Sequence, residues 1–483
     1  MMVFSFSTIA ARRYGYGLKP GEEPAADVEA LMAQVQRGAK AKPRFPVEGV
    51  AGRRETLGRL VSVRAVEAKA AKDGRPNPDL RRETQRDADR LLTHDAMARI
   101  NQAVSSENGF YERLASFWLD HFSVSARKSY EMRMMVPLYE TEALRPRLAG
   151  SFSDLLQAAI LHPAMLIYLD QNRSLGPQSP AAAKNGGGLN ENLGRELLEL
   201  HTMGVGSGYS QADVQAAALI LTGLAVDDRS FEVAYRPQRA EPGTQELLGK
   251  IYGQGGRSAG DQLDMLSDLA ARPETARHIC TKLVRHFVSD TPPPEMIDTM
   301  LAAWAESSGN LPAVYRAMLE HPRAFAEEEG KVIPPFDYVV CGFRAFGLTG
   351  AEMDALLKGD EDTKEEMAKP LPVKAQGGRP GANGRALTLE ALRRMGQPVW
   401  QPPSPAGFPD AADAWLSASQ LTERIGWARL AARTLGPELQ PIEFLDRALG
   451  GAESDNTRLV VSQAPSKIHG LTMVLVSPEF NRR

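Results

Sequence analysis

Two cysteines in 483 residues, Cys280 and Cys341, are too few and too far apart for a disulfide framework or a thiolate zinc site. Long apolar runs are missing as well. No segment reaches the roughly 20 residues that a membrane helix needs. Neither sign of charge dominates: 57 Lys and Arg against 60 Asp and Glu leave a net charge of -3, which argues against a broad nucleic-acid footprint. The chain lacks a phosphate-binding loop, a dinucleotide glycine fingerprint after a strand, a G-x-S-x-G elbow and an HExxH helix. Nucleotide chemistry, serine acyl transfer and zinc-finger roles are therefore disfavoured. The glycine runs at Lys184 to Gly188 and Gly253 to Gly256 lack the strand-to-helix setting that phosphate binding requires. Met1 to Arg12 has no basic start and no small-residue cleavage signal. Tyr14-Gly15-Tyr16-Gly17 after Arg12-Arg13 is no apolar core for a twin-arginine signal. The chain reads as cytoplasmic as given, or as a mature form whose leader is missing.

What is present is ordinary globular material, 43% hydrophobic and 24% charged. Helical periodicity dominates, so the expected fold is all-α: a large multi-helix domain, or two helical lobes, with Pro/Gly-rich loops and at most a small hairpin. Residues 1–93 form a charged helical segment broken at Pro43, Pro46, Pro76 and Pro78. Residues 94–225 make a helical lobe, 226–259 an irregular or hairpin connector, and 260–483 a C-terminal lobe with a mobile insertion at 358–385. The loop from Gly176 to Gly188 is either a lid or a disordered insertion. Gln397 to Pro409 reads as an ordered turn anchored by Trp400, Phe408 and Trp415. Final helices are expected over 417–435 and 456–476.

The densest chemistry lies in Asn190-Glu-Asn-Leu-Gly-Arg-Glu-Leu-Leu-Glu-Leu-His201-Thr-Met-Gly204. At about 100° per residue, Leu193, Leu197 and Leu200 share one face and Glu196 projects into the apolar arc. Asn190 is placed to cap the helix and Gly204 to end it in a left-handed turn. Arg195 lies one turn from both Glu191 and Glu199, the spacing of a helical ion-pair ladder. The cluster is either a structural ion network or a site. In the second case Glu196, Glu199 and His201 are acid/base groups or hard-metal ligands, with Asn192 beside them and Arg195 orienting the acids. Glu199 and His201 point about 200° apart on a regular helix, so they cannot share one ion. His121 on a neighbouring helix and Glu196 are the candidate ligands for a divalent metal ion.

A faint internal repeat sorts the other histidines. Ser153 to Met165 echoes Pro312 to Phe325, each an amphipathic helix followed by His-Pro. His162 and His321 thus read as helix-junction residues. His121 and His286 each precede a phenylalanine and read first as core histidines, while His94, His278 and His469 read as surface or capping residues.

The run N-E-N-L-G-R-E-L-L-E-L-H-T-M-G-V, with G-Y-S-Q-A-D-V (Gly208 to Val214) and L-T-G (Leu221 to Gly223), resembles the bacterial domain-of-unknown-function 1800 family. F-W-L-D-H-F-S-V (Phe117 to Val124), K-L-V-R-H-F-V (Lys282 to Val288) and P-P-S-P-A-G-F-P-D (Pro402 to Asp410) agree, and the resemblance is close to full length. It implies an all-helical protein, often encoded beside members of the domain-of-unknown-function 1501 family, which look sulfatase-like. A sulfatase-like partner protein is the partner it suggests. The sequence departs from the family pattern twice. Leu119-Asp120 stands where histidine and asparagine are common, and Arg236 to Arg239 stands where a histidine–aspartate pair is common; both changes remove potential metal ligands.

Two functional readings follow. In one, the helical protein has a Glu/His/Asn/Arg pocket and is an enzyme of metal-assisted hydrolysis or oxidation. In the other it is a non-catalytic scaffold or partner of the sulfatase-like protein.

Overall fold

A computed structural model describes residues 5–74, 78–227, 230–326, 330–356 and 384–483. The insertion expected at 358–385 lies outside the described residues except for its last two. The fold is all-α, with two small antiparallel hairpins.

Proline and short capping side chains set the helix boundaries. The Val28–Lys40 helix starts on Asp27, whose carboxylate accepts the Ala30 amide at 2.8 Å, and it stops ahead of Pro43. The Gly49–Lys72 and Pro78–Ser105 helices follow. His162 and His321 are junction residues. Each Nδ1 accepts the amide two residues on, at 3.1 and 3.3 Å, with proline opening the next turn. Between the Gln211–Leu221 and Gly260–Ala270 helices lie the two hairpins, Leu224–Val226 with Val233–Tyr235 and Gln245–Leu247 with Lys250–Tyr252.

Two details differ from the sequence pattern. The final helix is two, Asp455–Ser462 and Lys467–Val476. Pro465 cannot donate to a helical ladder, and Ser466 restarts it by accepting the His469 amide at 3.3 Å. An additional helix, Pro441–Leu449, buries Phe444, Leu445, Ala448 and Leu449. The Gly176–Gly188 stretch carries a short helix, Pro180–Asn185, and is tied at both ends: Leu175 donates to Gly188 and Gly176 to Arg239.

One cluster of buried apolar side chains runs from Ala10 to Phe480. The Gly109–His121 helix sits within it and buries Phe110, Leu114, Phe117 and Trp118. Each such side chain contributes about 1.5–3 kcal/mol. Val28–Lys40 packs on this helix and on Leu311–Glu320. Contact is close enough that a Cβ at Gly38 would stand 2.2 Å from the Tyr111 ring. Pro78–Ser105 packs on Pro335–Ala345. The C-terminal end of Gly109–His121 meets the segment 397–410, where the Phe408 amide donates to Asp120. Among the described residues no helix is long and apolar enough to cross a membrane.

Candidate functional site

The polar helix is shorter than its pattern. It spans Asn192–Glu196 and continues as a π-turn over Leu197–His201, a wider winding that occurs often at functional positions. Its cap is Glu191; Asn190, one residue earlier, accepts the Asn192 amide at 2.9 Å. Gly204 ends it with φ 89°, in the left-handed region. Arg195 donates to Glu191 and Glu199, both at 3.3 Å, and to Gln211 at 2.9 Å. The ladder is partly solvated, with Arg195 39% exposed. Asn192 is exposed. Glu196 is half-buried beside Tyr168, and burial, then the Glu199 charge, push its carboxyl up.

His201 turns the other way, into full burial, and neither ring nitrogen has a hydrogen-bond partner. The His121 Nε2–H donates to the His201 carbonyl and the His278 Nε2–H to the Leu200 carbonyl, each at 3.2 Å. A carbonyl only accepts, so both rings carry the proton on Nε2 when neutral. The ring centres of His201 and His278 lie 6.3 and 6.1 Å from that of His121. Burial, then the charge of Lys282, lower all three: His121 well down, His201 to about 3 and His278 to about 4. His278 is thus half-buried against the polar helix rather than a surface residue. His121 and His201 are brought together, whereas no hydrogen bond or ion pair joins His121 to Glu196. Among the described residues, no three His, Cys, Asp or Glu side chains are grouped to hold a metal ion.

A cavity of about 80 Å³ opens where the Gly109–His121 helix ends against segment 397–410. Phe336, Val399, Trp400, Pro402 and Phe408 wall it, and Arg99, Asp120, His286, Asp337 and Asp410 supply its charge and hydrogen bonding. Trp400 holds a left-handed φ of 56°, strained for a bulky side chain. Its Nε1–H is tied to Glu140 at 2.7 Å and its carbonyl accepts the Ala126 amide at 2.9 Å. Arg99 donates to the same Glu140 at 2.8 Å and lies 4.7 Å from the centre of the Phe336 ring.

Asp120 accepts the Phe408 amide at 2.7 Å. Gly407, φ 82°, lets the chain pass there; a Cβ on it would stand 2.6 Å from the Asp120 carbonyl. Burial, then the neighbouring Asp410 charge, push the Asp120 carboxyl up to about 7. Asp410 goes the other way. Burial pushes it up, but the hydrogen bond from His286, the imidazolium charge that ring takes on in acid, and the charges of Lys331 and Lys282 outweigh that and hold it well below the usual range. His286 Nδ1 lies 3.1 Å from Asp410 and its Nε2 lies 3.5 Å from the Arg113 guanidinium. A guanidinium only donates, so Nδ1 carries the His286 proton. Burial lowers His286 to about 4, keeping it neutral. Arg113 and Arg483 both pair with Asp337 behind it.

The sequence singled out neither acid of this pair. Asp120 precedes a histidine at a helix end, and Asp410 is the one acid in the proline-rich run Pro402 to Asp410; an acid in each apolar setting is the signal that was there to find. No curated protein and no solved structure matches the chain. The model of one family, described as a protein of unknown function, does match residues 9–482, nearly the whole length; the chain belongs to the DUF1800 family.

Proposed function

We propose that this protein is a hydrolytic enzyme that works in the cavity between Trp400 and His286, with Asp120 as general acid and Asp410 as general base. One observation carries the reading: two carboxyls in one cavity are driven apart, Asp120 up to about 7 and Asp410 down. Such a split separates an acid from a base at neutral pH. In the step we assign, ionised Asp410 takes a proton from water while the water oxygen bonds to the electrophilic carbon. The bond to the leaving group breaks, and Asp120 passes its proton to that group. Water is added across the bond, and one proton moved from Asp410 back to Asp120 restores the start. His286 orients Asp410, and the apolar walls suit a small, largely apolar substrate.

The test is a chromogenic panel of aryl esters, amides and glycosides with the intact protein and with Asp120→Asn and Asp410→Asn. Turnover of one class, lost in both variants while melting temperature holds, is the expected result. Turnover that survives both variants overturns the assignment. Elemental analysis of chelator-free protein separates it from metal-assisted hydrolysis through His121 and Glu196. A stoichiometric metal that disappears in Glu196→Gln would move the chemistry to that pair.

The second reading, a scaffold, is favoured by the solvated Glu191–Arg195–Glu199 ladder. Such a surface suits docking to a partner, of which a sulfatase-like protein is the one the family suggests. Pull-down with and without Arg195→Glu tests it.

A further inference from the structure

A second cleft, of about 570 Å³, is lined by the Lys128–Asp170 pair, and no step above uses it. Three separate segments converge on it. Lys128 comes from the turn after the Gly109–His121 helix, Arg173 from the Gln171–Arg173 turn, and Arg236 precedes and Arg239 ends the Pro237–Arg239 turn. Four cationic side chains thus line the cleft against two carboxylates, Glu131 and Asp170, in a chain whose overall charge is -3.

The existing ion pairs are exchangeable. Lys128–Asp170 at 2.6 Å and Arg236–Asp227 at 3.3 Å are each about one-third exposed, and solvated pairs of this kind contribute little. Arg239 is fixed in place by donating to the Asn172 and Ser174 carbonyls. Asn172 lines the cleft with its Oδ1 buried and without a hydrogen-bond partner. Its amide can be turned to offer either its oxygen or its NH₂. Ser129 and three apolar side chains, Ile167, Val226 and Phe231, complete the wall.

Planar guanidinium groups converging from several directions match the oxygens of a tetrahedral dianion, and the apolar wall gives room for an attached carbon body. We propose that this cleft binds a phosphate monoester of an apolar alcohol, with Arg173 and Arg236 clasping the phosphate and Phe231 beside the organic part.

The experiment is calorimetric titration of the intact protein with phenyl phosphate and, in parallel, inorganic phosphate at low salt. Saturable one-site binding of phenyl phosphate is expected, tighter than inorganic phosphate. It should weaken at least tenfold in the double variant Arg173→Gln, Arg236→Gln and weaken measurably in Arg173→Gln alone. Arg173 is exposed, so that single change leaves the fold intact. Arg316→Gln removes a surface arginine paired with Glu29 and Glu320 and should leave the affinity unchanged. Absence of saturable binding into the millimolar range overturns the proposal, as does a double variant that binds like the wild type. So does an equal loss in Arg316→Gln, and inorganic phosphate binding as tightly as phenyl phosphate overturns the ester.

Discussion

His286 donates its Nδ1 proton to Asp410 across 3.1 Å, and Arg113, 3.5 Å from Nε2, fixes that tautomer from behind. The consequence passes to a third residue. Asp410, held ionised, is the charge that helps keep the proton on Asp120. The cavity therefore contains an ordered chain of influence, Arg113 to His286 to Asp410 to Asp120, assembled from three separate stretches of sequence, because Arg113 and Asp120 share the Gly109–His121 helix.

The first prediction concerns that charge. Asp120 should titrate near pH 7, and Asp410→Asn should lower the midpoint because a like charge is removed. Difference infrared spectroscopy of the protonated carboxyl band, from pH 4 to 9, reads both. The sign for stability follows by linkage. The folded state holds this proton more tightly, so its contribution is complete below the unfolded value near 3.8 and is lost as pH rises through about 7. A wild-type protein with no carboxyl titrating above pH 5 would remove the basis for the acid–base reading.

The buried histidines work in the opposite direction. His201, His278 and His286 fall from 6.5 to about 3, 4 and 4. Their contribution is complete above pH 6.5 and is lost as pH falls toward 4, so urea stability should decline across that window. His201→Leu should lose nothing at pH 7, because both ring nitrogens are already without partners and an apolar replacement strands no group. His121 keeps its bond, which goes to the main-chain carbonyl of residue 201. The variant should also show a flatter decline between pH 6 and 4. A loss above about 2 kcal/mol at pH 7 would mean the imidazole has a stabilising partner after all.

Arg195→Met gives a third. A ladder this solvated is worth about 0–1 kcal/mol, so chemical denaturation should move by less than that. A buried network would cost about 3–5 kcal/mol, and a loss of that size would mean the ladder is closed off from water in solution.

The legible part of this protein is the part that local chemistry decides. His-Pro pairs marked helix junctions because proline restricts the residue before it. The i, i+4 spacing placed Arg195 between two glutamates, and Gly204 ended its helix left-handed as its position requires. What stayed hidden depends on partners distant in sequence. Leu197–His201 winds as a π-turn, and no residue in it announces that. Asp120 stood where a ligand of the family pattern is missing, and Asp410 was only the last residue of the run Pro402 to Asp410. Only packing of segment 397–410 against the end of the Gly109–His121 helix gives both a common cavity, and burial then sets their protons. His278 reads as a surface residue by its neighbours, yet packing carries it against the Leu200 carbonyl.

Gly407 tests whether that packing governs the chemistry. Its φ of 82° is one that side-chain-bearing residues rarely adopt, and a Cβ there would meet the Asp120 carbonyl oxygen and Oδ1, each at 2.6 Å. Both atoms belong to the helix end or to the carboxyl itself, so the 397–410 segment has to give way. Gly407→Ala should therefore destabilise by more than about 1 kcal/mol. It should also stretch the Phe408 amide bond to Asp120, which favours the ionised carboxyl. Two readouts then move in a linked fashion: the melting temperature falls and the Asp120 midpoint rises above its wild-type value. If only the melting temperature changes, the segment and the carboxyl are mechanically independent. In that case the proton on Asp120 is set by burial and the Asp410 charge alone.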